Sequence, residues 1–341
     1  MDYLVAGAGP AGLMEAHRLS AMGKRVSLIS PQWGGVMECM GDHYLQSYCS
    51  ELELPGSPVP LAHFMTEKTL SPRASHYMQY LRHYADSLPV DKITDTVTAV
   101  SFDGTHYSCD LQRHGKHALK ARHIVAATGI KPKPFRTTCL AGCRTMACLD
   151  AYHHFSDPTA RPPTETDVVI IGSGNSAFQI ALLAMSAGYN AHILARTYPG
   201  IYPIETTDRF ALRAQSQATV EKIWKSQTER TSPGISFSIY NNLWRSGDDI
   251  VFEIDRTDNN VHIAEATMAN TAACGTRRLT RSFSRADTLF VTAIGTEPSR
   301  PFSIDTHHDD RDPATKRGIY WVGSAADFRS VNTMVSPRYS A

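Results

Sequence analysis

Asp2-Tyr3-Leu4-Val5-Ala6-Gly7-Ala8-Gly9-Pro10-Ala11-Gly12-Leu13 opens the chain, and Arg25-Val26-Ser27-Leu28-Ile29-Ser30 completes its first motif. Asp2 to Ala6 is a short apolar run of the kind that forms a buried parallel strand. Gly7 to Gly12 then spells G-x-G-x-x-G. Leu13 to Met22 reads as a helix with Leu13, Ala16, Leu19 and Ala21 spread over its inner side, Gly23 stops it, and Arg25 to Ile29 is a second strand. The glycines therefore sit at the strand-to-helix turn of a βαβ unit. In that frame the first glycine permits a tight turn, the second lets backbone approach a pyrophosphate, and the third lets helix and strand pack closely. The helix N-terminus adds free N–H groups and a partial positive charge. Gly7, Gly9, Pro10, Ala11 and Gly12 are thus candidate phosphate-binding residues.

A second frame of the same kind lies near the middle of the chain. Asp167 to Ile171 is a strand, Gly172-Ser173-Gly174-Asn175-Ser176-Ala177 the turn, and Phe178 to Ala187 an apolar helix ended by Gly188. Asn190 to Arg196 follows as the next strand. Ala177 replaces the third glycine, which the fingerprint allows. Gly172, Gly174, Asn175, Ser176 and Ala177 form a second candidate phosphate loop. Two complete frames in one chain are far more specific than one.

The 341 residues suffice for two domains with cores of their own. Hydrophobic content of 42% and charged content of 20% describe an ordinary soluble chain. Thirty-four basic residues against 33 acidic ones leave a net charge of +1, so no nucleic acid or anionic membrane surface is expected as a partner. A first strand at residue 2 leaves no room for a signal peptide, and no apolar run approaches a membrane span. Seven cysteines without a regular framework suit a reducing compartment, which points to the cytoplasm. The 15 histidines have no metal-ligand spacing, so no metal is expected.

Between the frames, Pro31 to Met37 contains Gly34-Gly35, where backbone can pass close to a flat ligand or simply turn. Pro72 opens a helix whose Tyr77, Tyr80, Leu81 and Tyr84 share one face, a stripe expected in the core. Thr96 to Val100, Tyr107 to Leu111 and His123 to Ala127 read as strands, with Asp103-Gly104 turning between the first two. His123 to Ala127 ends at Thr128-Gly129 and runs into a proline-rich connector, a natural domain crossing. Beyond the second frame, Phe210 to Trp224 reads as a helix, and Ile235 to Tyr240 and Ile250 to Asp255 as strands of a small sheet layer. Ala286 to Gly295 and Gly318 to Gly323 read as the last two strands.

Together these motifs resemble the pyridine-nucleotide-dependent flavoproteins with two dinucleotide-binding domains, a group that includes thioredoxin reductase-like enzymes and flavin-containing monooxygenases. The resemblance covers nearly the whole chain. It implies an α/β fold of two Rossmann-like three-layer domains, with the NAD(P) domain (131–283) inserted into a discontinuous FAD domain (1–130 and 284–341). It implies FAD at Gly7 to Gly12, with Ser30, Gly34, Gly35, Thr128, Gly129, Gly323 and Asp327 as further contacts. NAD(P) falls to Gly172 to Ala177. Arg196 stands at the end of the second strand of that frame with no acidic residue in the position, so NADPH is expected over NADH.

The resemblance also has departures. Ser30 stands where many relatives carry Glu, and Ser324 follows Gly323 where thioredoxin reductases carry Asp. The Cys-x-x-Cys of thioredoxin reductases is missing, while Cys139, Cys143 and Cys148 lie in the corresponding region with wider spacings. Ser71-Pro72-Arg73 with Tyr80-Leu81 and Tyr84-Ala85 looks like a helix of the monooxygenases. Their Phe-x-Gly-x-x-x-His signature is replaced by Leu140-Ala141-Gly142 and Met146. No catalytic side chain is assigned, because hydride passes directly between the two cofactors. The leading expectation is an FAD-dependent, NAD(P)H-oxidising enzyme acting on a small molecule, with a monooxygenase slightly favoured. The alternatives are a thioredoxin reductase-like disulfide or protein reductase, and a degenerate nucleotide-binding protein, for which Ser30, Ser324 and the chain end at Ala341 speak. A homodimer is one candidate for the oligomeric state.

Overall fold

The computed structural model describes residues 1–157, 167–197, 222–223, 233–255, 278–305 and 319–323. The expected contact Asp327, the neighbouring Ser324 and nearly all of the expected helix from Phe210 to Trp224 lie outside the described residues. In chain order the elements are β1 (Tyr3–Ala8), α1 (Pro10–Ala21), β2 (Val26–Trp33), α2 (Cys49–Leu52), α3 (Ala74–Ser87), β3 (Asp91–Ile93), β4 (Val97–Phe102), β5 (Tyr107–Leu111), β6 (Gly115–Ala121), β7 (His123–Ala126) and β8 (Ile130–Pro132). They continue with β9 (Arg144–Ala147), α4 (Cys148–Ser156), β10 (Asp167–Ile171), α5 (Asn175–Ser186), β11 (Asn190–Ala195), β12 (Ile235–Ser246), β13 (Asp249–Asp255), β14 (Arg278–Ser284), β15 (Thr288–Thr292), β16 (Thr296–Pro298), β17 (Ser303–Asp305) and β18 (Ile319–Trp321). No helix among the described residues is long and apolar enough to cross a membrane.

Contacts divide the chain into two compact units. The first is Met1–Glu38, Asp42–Lys131 and Glu297–Ala341, the second Cys39–Gly41 and Pro132–Thr296. The chain passes from the first unit to the second after Lys131. The first unit resumes at Glu297. Thr288–Thr292 pairs in parallel with Asp167–Ile171, so this strand belongs to the second unit's sheet. Its sequence announces a buried strand but carries no mark of which neighbour it will pair with. The two crossings, β8 and β16, pair with each other.

In the first unit a parallel sheet runs β18-β7-β1-β2-β3. Leu4, Ala6, Ile124 and Ala126 pack against Val97, Val100, Tyr107 and Cys109 of a second sheet, ordered β17-β4-β5-β6. Helix α1 lies against β1 and β2, burying Leu13, Ala16 and Leu19. The tyrosine stripe on α3 is core, as expected, and it also holds the chain beside it. Tyr77 donates to the Leu52 carbonyl at 3.2 Å, Tyr80 accepts from the Leu54 N–H at 2.6 Å, and Tyr84 donates to the Pro55 carbonyl at 2.7 Å. The irregular stretch after α2 thereby satisfies backbone groups that burial would otherwise leave unpaired.

In the second unit the order is β14-β13-β12-β11-β10-β15-β9, with the strands from β12 to β9 all parallel and the remaining two antiparallel. Period-two alternation sorts the core. Val168, Ile170 and Ile193 face α4 and α5 with Phe155, Phe178 and Ala181. Val169, Ile171 and Leu194 face the other way, onto Tyr240, Ile250, Phe252 and Phe283 of the β12–β14 meander. The small sheet layer is therefore present. Its third strand, β14, escaped the sequence reading because Arg278-Leu279-Thr280-Arg281-Ser282 is largely polar. Arg281 on that strand reaches the ring of His192 on β11 at 2.7 Å and the Ser236 hydroxyl at 3.1 Å. Asp167 lies 3.3 Å from the other ring nitrogen. Burial pushes the His192 pKa down, so the ring is neutral and bridges donor and carboxylate.

Candidate functional site

Each unit carries its glycine turn at the point where strand order reverses. In the first, β1 lies between β2 on one side and β7 on the other, and in the second, β10 lies between β11 and β15. Ligands of open α/β sheets bind outside the carboxyl ends of strands at such switch points.

Gly7 has φ +110° and a Cβ there would overlap the Ala127 carbonyl, so neither the conformation nor the space admits a side chain. A Cβ on Gly12 would overlap the Gly7 carbonyl, which is how the helix comes so close to the strand. Gly9 precedes α1 with φ −76° and ψ 179°, Pro10 takes the first helical position, and no side chain caps the helix. No acidic residue stands in its first turn. The backbone donors of that turn are thus offered without a competing acceptor.

The other residues expected around this turn come together there. Gly34 N–H donates to the Ala8 carbonyl at 2.9 Å, which ties the Gly-Gly turn to the end of β1. A Cβ on Gly35 would stand 3.0 Å from Gly9 Cα, so the two glycines let their backbones touch with no side chain between them. Thr128 donates its hydroxyl to the Ser299 carbonyl, and Ser299 N–H returns a bond to the Gly129 carbonyl at 2.9 Å. Gly323 lies over Ala11: a Cβ on it would stand 2.6 Å from the Ala11 Cβ. Ser30 is buried and donates its hydroxyl to the Gln32 carbonyl at 2.5 Å. Its single proton is spent within its own turn, which leaves the oxygen only as an acceptor.

The second turn repeats the first. Gly172 has φ +140°, and a Cβ there would overlap the Ala293 carbonyl as one on Gly7 overlaps Ala127. Gly174 precedes α5 in extended backbone, with no side-chain cap and no acid in the first turn. Asn175 and Ser176 begin the helix and Ala177 is fully buried. Two clefts flank this turn. One, of about 140 Å³, is lined by Arg196 and Tyr240 on the β11–β12 side. The other, of about 350 Å³, is lined by Thr145, Met146 and Thr292 on the β9–β15 side. Phe135 and Thr137 line both. The sequence reading missed the part of the connector between Phe135 and Thr137, because it has neither periodicity nor motif.

The three cysteines separate. Cys148 is buried among α4 and α5, and burial pushes its thiol pKa up. Cys143 packs on the opposite face of the sheet. Cys139 shares that face, its thiol 3.6 Å from the Leu243 carbonyl. Among the described residues no group of three or more His, Cys, Asp or Glu side chains could hold a metal ion.

Comparison with known proteins agrees with this geometry. A profile of the family described as pyridine nucleotide-disulphide oxidoreductase matches residues 1–232. The chain belongs to that family. No curated protein is similar to it in sequence. Among solved structures it is similar to the bacillithiol disulfide reductase of Staphylococcus aureus, with 15% identity, TM-score 0.67, and 96% of this chain and 90% of that one covered. It is also similar to the ornithine N-hydroxylase of Kutzneria sp. 744, solved with reduced FAD and NADP⁺, at 15% identity and TM-score 0.63 over 88% and 82% of the two chains. A flavin-containing monooxygenase from Stenotrophomonas maltophilia gives 17% identity and TM-score 0.59 over 98% and 88%. Membership of the pyridine nucleotide-disulphide oxidoreductases makes the protein a flavin-dependent oxidoreductase that uses a pyridine nucleotide, as the motif resemblance implied. Its residues fit both cofactors: both turns offer uncapped helix N-termini free of carboxylate, and Gly9 and Gly35 put no side chain over the first of them.

Proposed function

We propose that the protein is an NADPH-oxidising flavoenzyme that passes electrons to oxygen and a small-molecule substrate, in the manner of a flavin monooxygenase. Gly7 to Gly12, Gly34, Gly35, Thr128, Gly129 and Gly323 would hold FAD in the first unit. Gly172 to Ala177 and Arg196 would hold NADPH in the second. Flavin, when bound, accepts a hydride from nicotinamide and delivers its electrons onward. The chain's task is to bind the diphosphates through backbone N–H groups, orient the two cofactors and keep carboxylates away from the phosphates.

The observation that carries the monooxygenase reading is the separation of the cysteines. A dithiol relay needs two sulfurs that can approach bonding distance. Cys148 lies on the helix face of the sheet and Cys143 on the meander face, so they do not form such a pair. Of the three, only Cys139 and Cys143 share a face, and that pair carries the competing disulfide-reductase reading. The test is anaerobic reduction of the purified yellow protein by NADPH, followed by reoxidation with oxygen or with a low-molecular-weight disulfide. The variant with Cys139, Cys143 and Cys148 all changed to Ser should bleach and reoxidise in air like the wild type. Disulfide-dependent NADPH oxidation that disappears in this variant would replace the proposal with a disulfide reductase.

A further inference from the structure

We propose that Arg136 is a second residue specifying NADPH, acting from the connector against the same 2′-phosphate as Arg196. The inference rests on the assignment of NADPH to the second unit. Arg136 and Arg196 are far apart in sequence, one on the connector leading to β9, the other directly after β11. The fold brings both to one cleft of about 140 Å³, together with Thr137, Tyr240, Asn241 and Asn242. Both arginines are exposed, and no carboxylate lines the cleft among the described residues. Gathering two cations around one small space without an anion costs Coulomb energy, and a bound dianion reverses the sign of that term.

The place of the cleft identifies the anion. Ala195 at the end of β11 pairs with Ile239 on β12, and Arg196 and Tyr240 are the next residues on each strand. In a dinucleotide frame the adenosine ribose lies beyond the end of this second strand. A free 2′-hydroxyl would call for an acceptor such as Asp or Glu, whereas this cleft offers two guanidiniums and neutral amides. Three phosphate oxygens match two planar guanidinium forks, which can each donate parallel N–H bonds. Tyr240 adds rigidity: its buried ring lies 6.0 Å from the Arg196 guanidinium carbon, at the outer reach of a cation–π contact. Arg136 would therefore bring a second guanidinium to the phosphate that Arg196 meets.

Calorimetric titration of the full-length protein with 2′,5′-ADP and with 5′-AMP tests this without requiring turnover. The wild type should bind 2′,5′-ADP more tightly than 5′-AMP. Arg136→Ala should weaken 2′,5′-ADP by roughly tenfold and leave 5′-AMP unchanged, with Arg136→Lys in between. Arg196→Ala should do the same. An Arg136→Ala variant that binds 2′,5′-ADP like the wild type, beside an Arg196→Ala variant that does not, overturns the role of Arg136 and keeps the NADPH assignment. A wild type with equal affinity for both probes overturns the assignment itself. A thermal melt of each variant shows whether the fold is intact, as exposed positions predict.

Discussion

Two glycines of one motif make opposite demands at the scale of the residue. Gly12 serves the fold: any Cβ there meets the Gly7 carbonyl. Gly9 serves the ligand, because its φ of −76° suits every amino acid and a Cβ on it would lie 3.8 Å from Gly35 Cα. The two roles separate experimentally. Gly9→Val should fold with an unchanged melting temperature in the absence of flavin. Its γ-methyl groups would project from the strand-to-helix turn where backbone alone now faces the ligand, so the protein should be purified colourless. Retention of full flavin absorbance by Gly9→Val would remove the pyrophosphate from this turn. Sequence alone recognised the glycines by their spacing. The motif also gave each glycine its role, and the structure added Gly35 beside Gly9.

At the scale of the element, one buried carboxylate organises the meander of the first unit. Asp95 precedes β4 and accepts from Thr96 N–H at 2.7 Å, Arg113 N–H at 3.1 Å, His114 N–H at 3.1 Å and the His114 ring at 2.5 Å. It thereby ties the β5–β6 turn to the start of β4. Burial pushes its pKa up, but the donors from His114, Thr96 and Arg113 outweigh it and hold the carboxyl at about 2. A depressed pKa means that the folded state binds the proton less readily than the unfolded chain. The stabilisation is therefore fully present above the unfolded value of about 4 and is lost as the pH falls through the folded value. Asp95→Asn should be less stable than the wild type at pH 7 by urea unfolding. The gap should close as pH falls from about 4 toward the folded value. A gap that stays constant over that range would mean that Asp95 acts through shape and not through charge. The turn itself had no signature in the sequence, since Gln112-Arg113-His114 is an ordinary polar stretch.

The whole molecule is a chain that leaves one sheet, completes another and returns. The second unit is nearly continuous, and Pro132–Thr296 contains every strand of its seven-stranded sheet. The first is not: β17 pairs with β4 and β18 with β7, so its two sheets each need a strand from beyond residue 297. A fragment of residues 132–296 should therefore unfold cooperatively in urea by itself. A fragment of residues 1–131 should be less stable than the same unit in the full chain and should lose flavin, because strand edges left open expose unpaired backbone. A non-cooperative 132–296 fragment would show that the division at 131 and 297 is not a division of stability.

Local information determined the two βαβ frames and the tyrosine face of α3. Each rests on residues within a turn or two of one another, where periodicity and glycine chemistry speak directly. Tertiary structure decided the rest. Thr288–Thr292 reads as a buried strand in any context, and only pairing with Asp167–Ile171 places it in the second unit. Cys143 and Cys148 are near neighbours in sequence, and only the passage of β9 between them puts their side chains on opposite faces. Arg196 could be picked out at the end of its strand, but Arg136 is an unremarked cation until the connector and the end of β11 meet in one cleft. Partner choice in a sheet and convergence in a cleft depend on long-range contacts, which hydrophobic patterning along the chain does not encode.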